Sequence, residues 1–183
     1  MNLSISSIII LTNIVFFSLF VISILVKIGI PIHLSVTYYV LETKHRWLRW
    51  IFPFLLFIMC STVGPVWIDM TTIYTWFDQL IFLPYTTIFC LLAVVASTQY
   101  QKSRKLIYFH YTCAIIASVC TAAWLFLIAY RIIYIGLSIL FIELFAGWYT
   151  NSLKVCYLFW LETAAFYALL ITLFVLSIIP INI

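Results

Sequence analysis

The sequence predicts an all-α fold, a polytopic transmembrane helical bundle with six spans, short loops and no soluble domain. Three observations carry that prediction. The 183 residues are 67% hydrophobic and 8% charged, against about 45–50% apolar and about 25% charged in soluble domains, so the chain cannot cover its own surface in water. The apolar residues gather into runs of roughly the 20 residues that a helical span needs. Those runs are apolar on every face, whereas barrel strands alternate polar and apolar over roughly ten residues. Disorder would need low hydrophobicity and high charge, and a disulfide scaffold would need paired cysteines in aqueous loops.

The first span covers about 3–30. Only Asn13 interrupts it, and Lys27, Gly29 and Pro31 end it. Its nearby charge lies on the far side, the reverse of a secretory signal, so a retained helix is expected. The second, about 50–68, carries Pro53 in its first turn and a Gly64-Pro65 pair expected to kink or unwind its last. The third, about 80–98, has Pro84 near one end, and the fourth runs over about 106–129. A shorter fifth, about 132–148, contains Glu143, and the sixth, about 156–179, contains Glu162. The turn between the fourth and fifth offers Arg131 and no turn chemistry before Gly136, so five spans plus a re-entrant segment stand as the alternative. No internal repeat relates the two halves, which gives no support to an inverted-repeat transporter.

Six spans use roughly 120 residues, leaving the sequence as a single integral membrane domain. Orientation follows from the basic residues. With the amino terminus outside, Lys27, Lys44, Arg46, Arg49, Lys102, Arg104, Lys105 and Lys154 all fall on the cytosolic face, and Arg131 alone lies opposite. Positive charge in short loops is retained on that face. A multi-pass protein with a non-cytosolic amino terminus is expected, in an endomembrane or the plasma membrane.

Within the inner loop at 31–49, Glu42, His45, Arg46 and Arg49 fall on one side at helical spacing and Val36, Val40, Trp47 and Trp50 on the other. Glu42 and Arg46 form an i,i+4 pair. Lys44, Arg46, Arg49, Trp47 and Trp50 are therefore candidates for contact with the lipid surface. The plainer reading is a topology anchor, because lipid-selective patches usually carry about four to eight basic residues. The outer hairpin from Trp67 to Asp78 reads as either a small entrance or an aromatic belt.

On the fourth span Ala114, Ser118 and Ala122 recur every four residues, which marks that helix as the expected packed centre. His110 lies on the same stripe. On the fifth span Gly136, Leu140, Glu143 and Gly147 share a face, so a small-residue seam passes through the glutamate.

An ionisable group inside a span costs roughly 2.5–3.5 kcal/mol on insertion scales and usually faces the interior. Glu143 and Glu162 are such groups, expected at similar depth because the turn between their helices centres near Asn151. Two buried carboxylates at one level cannot both ionise cheaply unless a cation or His110 compensates. Such a pair suits a proton-coupled carrier, a cation site or acid–base chemistry on a lipid headgroup. The alternative is a packing clamp, each glutamate bonded to a hydroxyl on a neighbouring helix.

Five cysteines lie in or beside spans without a C-x-x-C motif, which reads as small apolar residues and not as metal ligands. No phosphate loop, nucleophile elbow or basic stripe is present, so neither nucleotide nor nucleic acid is an expected partner. No cofactor and no metal are expected. The leading expectation is a non-catalytic accessory or assembly subunit of a membrane complex, with the bilayer and other membrane subunits as partners. A small transporter or a lipid- or sterol-binding protein using Glu143 and Glu162 is the alternative. A lipid-modifying enzyme would need His110 beside those carboxylates.

Overall fold

A computed structural model describes residues 4–44, 47–74, 78–127 and 132–178. Those residues form seven helices and no strand: α1 (Ile5–Lys27), α2 (Thr37–Lys44), α3 (Ile51–Tyr74), α4 (Phe82–Ala96), α5 (Arg104–Leu127), α6 (Ile133–Tyr149) and α7 (Leu153–Ile178). Five of them, α1, α3, α4 with its lead-in turn, α5 and α7, are long and apolar enough to cross a membrane. The expected all-α bundle is therefore present. The fifth predicted span is the 17-residue α6, which at 1.5 Å per residue reaches ~25 Å, short of a hydrocarbon core of about 30 Å.

The packed centre is α7 and not the fourth span. It touches α1, α3, α5 and α6, and Phe159, Thr163, Leu170 and Leu173 on it are fully buried. On α5 the buried stripe is His110, Cys113, Ala117, Thr121 and Trp124. Ala114 is half-buried, while Ser118 and Ala122 are exposed. In hydrocarbon an apolar side chain gains no hydrophobic free energy by leaving lipid, so the small-residue stripe does not by itself say which face meets protein. Here the bulk of Trp124 and its need for a hydrogen-bond acceptor select the neighbouring face: Trp124 Nε1 donates to Thr71 Oγ1 on α3 at 2.8 Å.

Other polar ties join the helices. Asn13 Nδ2 on α1 donates to Thr62 Oγ1 on α3 at 3.0 Å. Ser7 and Ser177 hydroxyls meet at 2.9 Å between α1 and α7, and Tyr167 OH donates to Ser18 Oγ at 3.0 Å. Such interhelical bonds contribute about 0.6–2 kcal/mol each in a bilayer.

The α6 seam packs on α7 along its length. A Cβ at Gly136 would lie 3.6 Å from Ala168 Cβ, and one at Gly147 would lie 2.8 Å from Trp160 Cδ1. Between these two points Glu143 meets Thr163. The α6–α7 turn closes on Asn151, whose φ of 53° is left-handed. Ser152 N then donates back to Gly147 O at 3.0 Å, the six-to-one bond that satisfies a helix-terminal carbonyl. Gly147→Ala must push the Trp160 ring aside and is expected to cost about 1–3 kcal/mol. Thermal melting of the purified protein in detergent reads this, and an unchanged midpoint would mean that the ring yields freely.

Two local expectations are corrected. The helix does not unwind at Gly64-Pro65; α3 continues through Pro65 to Tyr74. Its Gly64 admits Ile88 of α4, whose Cδ1 would lie 2.9 Å from an added Cβ. Trp67 belongs to the core and not to an interfacial belt, since it is 2% exposed and meets Trp124 edge-on at 5.5 Å. The rest of the outer hairpin is only partly covered, because residues 75–77 lie outside the described residues.

The inner loop is also not a surface helix. It forms a 3-10 turn at Leu34–Val36, the eight-residue α2 and a second turn at Leu48–Trp50. Leu34, Thr37, Tyr38 and Leu41 are buried in the bundle. Two bonds of Tyr39 tie this segment to the turn between α4 and α5: its OH donates to Thr98 O at 3.1 Å and accepts from Gln101 N at 2.9 Å. The two basic loops therefore share one end of the bundle.

Candidate functional site

The site is built where the chain reverses after α1. Gly29, at φ 87°, supplies a left-handed turn that favours glycine. The following residues fold against α7, which leaves helical geometry at Cys156 (φ −113°, ψ 25°). Cys156 Sγ donates to Ile30 O at 3.5 Å, and Phe159 N donates to Ile32 O at 3.1 Å. The helical segment that begins at Leu34 has no side-chain cap from its own N-cap residue, His33. Its first orphan amide is satisfied from another helix: Leu34 N donates to Glu162 Oε2 at 2.6 Å. A carboxylate at a helix start is favoured both as acceptor and as negative charge.

Glu162 and His110 line one partly open cavity of about 80 Å³, walled by α3, α4, α5, α7 and the Leu34–Ser35 turn. By this measure a water needs about 10–15 Å³, so the space suits several waters or one small polar head. His110 is 1% exposed and lies under the Tyr100 ring, with centroids 4.2 Å apart. Its Nδ1 sits 3.0 Å from Ser97 Oγ, whose own hydrogen is committed to Ala93 O at 2.7 Å. Nδ1 is therefore the donor, and in the neutral ring Nε2 carries the lone pair.

Ser118 and Thr121 also line the cavity. Each spends its hydroxyl hydrogen on its own helix, at Ala114 O (2.9 Å) and Ala117 O (2.8 Å) respectively, so neither has a hydrogen left to donate to the cavity. Among the described residues no lysine or arginine lines the space, and none forms an ion pair with Glu162. The cavity wall is mostly apolar, and its few polar groups include a carboxylate and two hydroxyls that can only accept, so its chemical complement is a hydrogen-bond donor.

His33 connects this cavity to the basic end. Its Nδ1 lies 2.8 Å from Ser35 Oγ, a cavity residue, and Tyr111 OH lies 3.5 Å from its Nε2. The Tyr100 and Tyr111 rings flank it at 6.3 and 6.0 Å. Burial lowers the His33 pKa below its ordinary 6.5. The sign follows from proton counting. Between the lowered value and 6.5 the unfolded chain binds the extra proton, so the stability that neutral His33 contributes is complete above 6.5 and is lost as pH falls below it. The His33 contribution to the melting midpoint is expected to fall as pH drops below 6.5, so His33→Asn is expected to change the slope there; an equal slope in both proteins would exclude His33.

The other sequence candidates are placed as follows. Glu143 does not enter the cavity. Its Oε2 accepts from Thr163 Oγ1 at 3.2 Å on the α6–α7 seam, the arrangement of a packing clamp. Because Thr163 follows Glu162, the two glutamates lie at one level, but they use different sides of α7 and bond to different partners. Glu162 is brought together with His110 and not with Glu143.

Arg49 pairs with Glu42, where the spacing had suggested Arg46. Its guanidinium lies over the Tyr38 and Trp50 rings at 5.6 and 5.4 Å. Arg46 and the Lys44 side chain lie outside the described residues. Trp47 is 72% exposed and Trp50 is also exposed, as a headgroup contact requires. His33, Ser35 and Ser97 were not singled out by sequence, and Tyr100 was marked only by a weak sterol-type pattern from Val95 to Lys102. A Gly-x-Pro-x-His run directly after a span, Gly29 to His33, is the signal that could have marked the fold-back. Compared with family models, characterised proteins and solved structures, the chain matches none.

Proposed function

We propose that the chain is a non-catalytic, multi-pass membrane protein that holds a hydrogen-bond-donating ligand in the cavity between Glu162 and His110. One observation carries the reading: a carboxylate and an imidazole line the same partly open space, and no lysine or arginine of the described residues pairs with the carboxylate. An ionisable group within a span marks a binding or conduction site by default. The end of the bundle that holds Lys27, Arg49, Lys102 and Arg104 is read as cytosolic from its basic residues, with the amino terminus on the opposite side. The membrane is read as an endomembrane or the plasma membrane.

Methylammonium is a small cationic donor that tests the cavity. Saturable binding is expected to the full chain in phosphatidylcholine nanodiscs. It should be reduced at least tenfold by Glu162→Gln and left unchanged by Glu143→Gln. Absence of saturable binding, or equal loss in both variants, would remove the cavity as the site.

A second reading, an assembly subunit, is favoured by the outer face of α6. Phe141, Phe145 and Trp148 form an exposed ladder with centroid spacings of 6.5 and 5.7 Å. Aromatic residues are enriched in the cores of protein interfaces. A Phe145→Ala variant that releases co-purifying subunits from detergent extracts would support that reading, and a wild-type chain that is monodisperse alone would oppose it.

A further inference from the structure

We infer that the ligand is a single-chain amphiphile with an ammonium head, the head seated in the Glu162–His110 cavity and the chain lying in a groove between α5, α6 and α7. The inference rests on the cavity reading above and extends it to a ligand class. A groove of about 750 Å³ begins where the cavity ends, because Ser118, Thr121 and Ala165 line both. From Ser118 the groove follows α5 to Leu127. Nine residues at 1.5 Å give ~14 Å, about the depth of one leaflet of a 30 Å hydrocarbon core.

The small residues of three helices make this space. Ala122 on α5, Gly136 on α6, and Ala164 and Ala168 on α7 all line the groove. Small residues at such spacing usually bring helices together. Here the cavity-side stripe of α5 leaves a gap, since α5 meets α6 only sparsely while α6 lies flat on α7. Apart from Ser118 and Thr121, whose hydroxyls bond their own helix, the groove is lined by apolar side chains and one glycine. It therefore takes hydrocarbon and nothing that needs polar partners.

Charge complementarity fixes the head. Glu162 Oε2 holds the Leu34 amide, and Ser118 and Thr121, whose hydroxyl hydrogens are already donated, line the same space. A primary ammonium brings three donors and a positive charge to these acceptors, and its charge-assisted bonds are roughly twice as strong as neutral ones. A phosphate or carboxylate head would meet Glu162 with like charge.

The test uses the full chain in phosphatidylcholine nanodiscs, with displacement of labelled methylammonium as the readout. Hexadecylamine is expected to displace the label at concentrations at least tenfold below those needed for unlabelled methylammonium. Ala122→Trp, which fills the groove from an exposed position outside the cavity, is expected to raise the hexadecylamine concentration about tenfold while leaving methylammonium binding unchanged. Equal potency of hexadecylamine in wild type and Ala122→Trp would overturn the groove assignment while the cavity stands. Equal potency of hexadecanol would overturn the ammonium head. Failure of methylammonium itself to bind would overturn the cavity reading, and this inference with it.

Discussion

Replacing Trp124 by alanine is expected to remove about 3–5 kcal/mol of stability, the range for emptying a fully buried aromatic site. Trp124 is 0% exposed, meets Trp67 edge-on at 5.5 Å and donates Nε1 to Thr71 Oγ1 at 2.8 Å. Thr71 in turn donates to Trp67 O at 2.8 Å, so one chain of bonds runs from α5 through the α3 side chain to the α3 backbone. Loss of the indole opens a cavity and leaves the acceptor lone pair of Thr71 without its donor. Trp124→Phe keeps most of the volume and loses mainly the hydrogen bond, so it should cost about 1 kcal/mol. Unfolding by titrated denaturing detergent reads both variants. An alanine variant within about 1 kcal/mol of wild type would show that α3 and α5 do not meet through this residue.

The second large effect is expected at Glu162. Glu162→Leu deprives Leu34 N–H of its acceptor in a buried setting, at a cost of about 1–3 kcal/mol. Glu162→Gln retains a carbonyl oxygen at the same position and should stay close to wild type in stability while losing the charge. The two substitutions thus separate the structural role of the group from its binding role. Amide exchange in residues 34–38 is the direct readout, because this tertiary bond caps the first amide of the 3-10 turn that leads into α2. Faster exchange in the leucine variant and normal exchange in the glutamine variant are expected. Unchanged exchange in the leucine variant would mean that Phe159 N and Cys156 Sγ hold the loop without the carboxylate.

The helices were legible in the sequence because hydrocarbon imposes a length on them. Runs such as Leu106 to Leu127 could not be anything shorter or alternating, and α5 falls there. Which face of each helix meets protein was much less legible. Ala114, Ser118 and Ala122 lie about one residue around from the true buried stripe of α5, and in a bilayer hydropathy does not distinguish a lipid-facing isoleucine from a protein-facing one. Polar exceptions were the better guide. Asn13, Glu143 and Glu162 each found a partner on another element, as an ionisable or amide group in hydrocarbon must.

The join of Glu162 to Leu34 spans 128 positions and depends on a chain reversal at Gly29 and a kink at Cys156. Neither feature has a local apolar period. For that reason Glu162 could be nominated from sequence, whereas nothing local joined it to its companions His33, Ser35 and Tyr100. The level shared by the two glutamates followed from counting residues on either side of Asn151. Their separation onto different sides of α7 depended on rotation about the helix axis, which counting does not supply.

Ser7 and Ser18 on the first helix satisfy their hydroxyls at Ser177 and Tyr167 on the last. A ribosome releases α1 well before α7, so until α7 emerges both serines must find other partners. Docking of α1 in the bundle is therefore expected to follow the arrival of α7, and nascent chains truncated before Tyr167 should leave α1 more accessible to cross-linking.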